Sequence, residues 1–110
     1  MVVMVITHPA ELDTISHRLD RIGRDSMRVE AIVREDLNAT DGYRNRVLTR
    51  LIEDKMLLSA HLPEVLDRIA TLPLDQQPQQ IAGSLRPMTL AIEQANIAIA
   101  RLRSLSAPHR

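Results

Sequence analysis

Aliphatic residues recur at alternating steps of three and four along three stretches of this 110-residue chain, and that spacing restricts it to helices packed along their lengths. The first seam is Leu12, Ile15, Leu19, Ile22, Ser26, Val29 and Val33, interrupted by Ser26 with Gly23 nearby. The second is Leu48, Leu51, Lys55, Leu58, Leu62, Val65, Ile69 and Leu72, with Lys55 at a seam position. The third is Ile81, Leu85, Met88, Ile92, Ala95, Ile99 and Leu102. Aromatic residues amount to one Tyr, so the core is built from slender side chains suited to close helix contact. Ala91, Ala95, Ala98 and Ala100 narrow the third segment further.

Boundaries follow from local chemistry. Pro9 suits a first helical turn, where its missing N–H has no intrahelical partner. Asn38-Ala39-Thr40-Asp41-Gly42 is a run of turn and cap residues, short enough to make the first two helices antiparallel. The second seam passes through Pro63 without changing phase, which argues for one helix kinked there; the alternative is two helices with Pro63 opening the second. Pro73 ends that segment, and residues 73–80 read as a polar linker. Pro87 lies inside the third seam, so either it kinks the helix or the regular helix starts only there, after a loose turn. Residues 1–7 read as a short extended segment and residues 106–110 as a frayed tail. The expected architecture is an all-α, elongated antiparallel bundle of three long helices in a single domain. Helices of about thirty residues are ~45 Å long, whereas a compact globule of this length has a radius of gyration near ~13 Å.

The remaining composition excludes several classes. Fourteen basic residues balance fourteen acidic ones, which gives no general attraction to nucleic acid or anionic membranes. The absence of Cys removes thiolate catalysis, thiolate metal sites and disulfide frameworks, and fits a reducing cytoplasm. Met1–Ile6 is apolar but is cut off by Thr7-His8-Pro9, well short of the roughly 18 residues of a membrane span. Gly23, Gly42 and Gly83 are isolated, so no phosphate-cradling loop exists. His8, His17, His61 and His109 are scattered, and no Glu-x-x-His pair supports a di-metal site. No cofactor or metal is expected.

Two stretches invite a functional reading. Arg21, Arg24 and Arg28 follow His17 along one side of the first helix, where they could face an anionic partner. Asp20 and Asp25 sit among them, and Asp20–Arg24 and Arg21–Asp25 have the spacing of ordinary intrahelical pairs, so a solvated charged face is the reading preferred over nucleic-acid binding. Elsewhere, Leu51, Leu58, Ile92, Ala95 and Ile99, together with Val3 and Val5, are candidates for a homodimer or partner interface, since a three-helix layer leaves a long apolar side to cover. Glu11-Leu12 through Leu19-Asp20-Arg21-Ile22 resembles the opening of the helical chorismate mutases, which implies a small dimeric enzyme with cationic side chains around a dicarboxylate. Ser16 stands near the place of the early Arg of that family, Arg34 near a second, and Gly23-Arg24-Asp25-Ser26 replaces its Leu-rich stretch, so the resemblance is one of shape. The function expected is a non-catalytic protein–protein interaction module, such as a small bacterial anti-activator or chaperone working through helix faces.

Overall fold

The computed structural model describes residues 9–35 and 41–106, with side chains from Ile15 to Arg34 and from Asp41 to Leu105. The expected extended segment at residues 1–7 and most of the expected tail at 106–110 lie outside the described residues, as do Val3 and Val5. The protein is an all-α bundle. Helix α1 spans Pro9–Glu35, α2 Asp41–Ala70, α3 the single turn Gln77–Gln80, and α4 Arg86–Ser106, with a π-helical turn at Ile81–Leu85 leading into α4. Helices α1, α2 and α4 each pack on the other two. The bundle measures 55 × 25 × 22 Å with a radius of gyration of 16.4 Å, the elongation that long side-by-side helices impose.

The core is a ladder of heptad repeats. Ile15, Ile22 and Val29 of α1, Leu51, Leu58 and Val65 of α2, and Met88, Ala95 and Leu102 of α4 are all buried, each set stepping by seven residues. The intervening seam positions Leu19, Val33, Leu48, Leu62, Leu85 and Ile92 are half-buried around this axis. Ala91, Ala95 and Ala98 are buried in α4, where their small side chains bring α1 and α2 close.

Proline placement explains the irregular points. Helix α2 runs through Pro63 without interruption. Pro63 and Ser59 are both exposed, so the carbonyl that loses its N–H partner lies on the wet side of the helix. After α2, Thr71 and Leu72 donate N–H bonds to the carbonyls of Arg68 and Ile69 (3.3 and 3.0 Å), and Pro73 stops the helix. The segment expected as a linker contains α3, whose first turn holds Pro78. Before Pro87 the backbone widens: the Arg86 N–H bonds the Ile81 carbonyl five residues back. Pro87 supplies no N–H to the Gly83 carbonyl, and its ring would crowd that carbonyl in a regular turn. The wider turn relieves this, and regular α-helix begins at Arg86.

Lys55 does not enter the core. It is half-buried, Met56 beside it is exposed, and Asp54 turns inward in their place. Among the described residues, no helix is long and apolar enough to cross a membrane.

Candidate functional site

Two aspartates, Asp25 on α1 and Asp54 on α2, are fully buried, and each is held by two arginines. Asp54 accepts a two-pronged grip from Arg21, Nε to Oδ2 at 2.8 Å and Nη2 to Oδ1 at 2.7 Å, plus Arg18 Nη1 at 2.6 Å. Asp25 accepts the same fork from Arg50, Nε to Oδ2 at 3.1 Å and Nη2 to Oδ1 at 3.0 Å, plus Arg28 Nη1 at 2.6 Å. The two forks are reciprocal. Arg21 and Asp25 stand four apart on α1, as do Arg50 and Asp54 on α2, and in an antiparallel pair a step of four forward on one helix matches four back on the other. The sequence Arg-x-x-x-Asp on each helix therefore meets its own mirror order across the seam. Its pairing defines one register of α1 against α2.

The chemistry of this clasp is structural. Planar guanidinium forks suit bidentate carboxylate binding, and the arginine stems remain partly in contact with water. The hydrogen bond to Asp54 raises the Arg21 pKa above its ordinary value despite partial burial, with the charges of Asp54, Asp25 and Glu53 adding to the rise. Arg50 is raised likewise, chiefly by its bond to Asp25. Both carboxylates are occupied by guanidinium groups on each of their oxygens. Among the described residues, no group of three or more His, Asp or Glu side chains could hold a metal ion.

The opposite flank of α1 is open. Between α1 and α4 runs a groove of about 620 Å³, lined by Leu19, Gly23, Ser26, Met27, Ile97 and Ala98 and edged by Asp20, Arg24, Glu30 and Arg101. Met27 is 73% exposed and Ile97 61%, with Leu90 also exposed on α4. Gly23 contributes to the concavity, since a Cβ there would meet nothing within 4 Å. Ser26, the residue that breaks the first seam, lines the groove, and its Oγ is buried without a hydrogen-bond partner. An ion pair between Arg101 and Glu30 ties α4 to α1 at one end.

The sequence candidates separate onto these two flanks. Arg21 and Arg28 turn toward the buried carboxylates, whereas Arg24 is exposed at the groove. They do not form one continuous cationic stripe. The expected intrahelical pairing also changes: Arg21 bonds Asp54 rather than Asp25, which is taken by Arg28 and Arg50. Leu51, Leu58, Ala95 and Ile99 lie in the chain's own core, and Ile92 packs against it, because the third helix occupies the apolar side that a second copy was expected to cover. Of the groove residues, exposed Met27 is a residue type that the sequence reading associates with tolerance of partner shape, whereas Ile97 falls off the third seam and did not stand out among the apolar residues around it. No protein-family model, curated protein or solved structure matches this chain.

Proposed function

We propose that the protein is a non-catalytic, cytoplasmic interaction module that docks a helix in the α1–α4 groove, in the manner of a small regulatory anti-activator or chaperone. The observation that carries this reading is the groove itself, a concavity between two long helices in which Met27 and Ile97 are both exposed. Its walls are two long helices, the geometry into which a third amphipathic helix fits by its apolar face. Exposed Met adds tolerance of the incoming shape. The arginines that would argue for nucleic acid, Arg21 and Arg28, are engaged by Asp54 and Asp25. The same engagement speaks against a mutase-like dicarboxylate site.

Purification of the chain at native expression level is expected to yield a stoichiometric second polypeptide, identical or different. Ile97→Asp should abolish that association while leaving helicity and unfolding midpoint unchanged. Leu66→Asp, on the outer face of α2, should leave it intact. A wild-type chain that purifies alone and as a monomer overturns the reading.

A further inference from the structure

We infer that the occupant of the α1–α4 groove is a second copy of this chain, laid antiparallel with a two-fold axis beside Met27. The inference rests on the reading of the groove as a helix-docking surface. Asp20, Met27 and Arg34 are spaced seven residues apart and so share one face of α1; all three are exposed. The face is acidic one heptad before Met27 and basic one heptad after it. In an antiparallel copy aligned on Met27, Asp20 stands opposite Arg34 of the second copy, and Arg34 opposite its Asp20. A parallel copy would set Asp20 against Asp20 and Arg34 against Arg34. Arg24 and Glu30, three residues either side of Met27 on the flanks of the same face, repeat the pattern with signs reversed, with Glu30 shared with Arg34 and Arg101 of its own chain. Every level of the antiparallel pair therefore carries both charges.

Such self-complementarity is what a closed two-fold contact requires, since one patch must recognise itself. The groove edge holds two acids, Asp20 and Glu30, and two bases, Arg24 and Arg101, so it selects for neither an acidic nor a basic foreign helix. The missing side chain at Gly23 leaves room for close approach, and the incoming helix covers Ile97 and Met27 together.

Because the chain has no Cys, Met27→Cys introduces the only thiol. Mild oxidation is expected to link it rapidly into a covalent dimer, whereas Met56→Cys, also exposed but on the outer face of α2, should link poorly. Sedimentation equilibrium of the wild-type chain should give twice the monomer mass. Asp20→Arg, which sets like charges face to face twice, should weaken the dimer on the order of 100-fold, and adding Arg34→Asp should restore it. A strict monomer at about 100 μM, where dimers of micromolar affinity are fully formed, overturns the inference. So does a dimer that ignores Asp20→Arg, a loss that Arg34→Asp does not restore, or equal oxidation of the two thiol variants. In each of those cases, a foreign partner lost on Ile97→Asp would leave the groove reading standing, and a chain without any partner would remove both.

Discussion

The two flanks of α1 are built in opposite ways. Toward α2, charged residues are buried: Asp25 and Asp54 are fully enclosed by arginine forks. Toward the open side next to α4, apolar residues are exposed: Met27 and Ile97 stand over a groove floored by small side chains. The contrast shows that polarity does not sort inside from outside on this helix. The seam with α2 uses ions because a bidentate pair is satisfied in only one register, whereas aliphatic seams repeating every heptad tolerate a slip of seven residues. The groove stays apolar and shallow because nothing in the described chain covers it.

Breaking the buried side should have the largest effect. Arg21→Met leaves Asp54 half-paired in the core and is expected to cost about 3 kcal/mol, read from the urea midpoint. Adding Asp54→Leu should recover most of that loss, because an apolar pair of similar volume avoids the desolvation of two ions. Failure of the second substitution to recover stability would mean that the clasp contributes energy as well as register. On the open side, Gly23→Ala should raise stability by roughly 0.5–1 kcal/mol, since the helix gains a better former and the added methyl meets nothing. A loss on thermal unfolding would show that the groove wall is tighter than described.

The exposed pair Arg68–Glu64 on α2 offers a smaller test. Glu64→Ala should change stability by only a few tenths of a kcal/mol, an effect that ~1 M salt removes, while the loss from Arg21→Met persists in salt. The smallest expected effect is with alkali. The raised pKa values of Arg21 and Arg50 give a contribution that is complete below the ordinary guanidinium value and is lost only as pH climbs through the still higher folded value. The stability gap between wild type and Arg21→Met should therefore stay constant between about pH 7 and 10. A gap that narrows over that range would place the titrating group elsewhere.

Much of the fold was legible in the residues. The three-four spacing located all three long helices and most of the buried heptad positions, from Ile15 to Leu102, although Ile32 and Val47 are buried where the seams named their neighbours Val33 and Leu48. The unbroken phase at Pro63 favoured a single helix, which is what forms, and of the two readings left open at Pro87 the one found is an irregular turn, the π turn at Ile81–Leu85, followed by regular helix. The candidate site was far less legible. Arg21–Asp25 looked like a local pair because both lie on one helix at a favourable spacing. That reading considered one helix at a time. Asp54 is buried because Arg18 and Arg21, thirty-odd residues away, reach it across the seam. The one available signal was the repetition of Arg-x-x-x-Asp at 21–25 and 50–54, which acquires meaning only after the helices are set antiparallel.

The sequence by itself determined that there would be three long helices, roughly where they lie along the chain, and most of the face that each turns inward. Those properties depend on apolar period, caps and prolines, all of which act within a few residues. Tertiary structure alone decided that α1 would bury its charges on one flank and expose its methionine on the other. That outcome depends on how α2 and α4 divide the circumference of α1. The division is set by registers between helices distant in sequence, where a guanidinium either meets a carboxylate or does not.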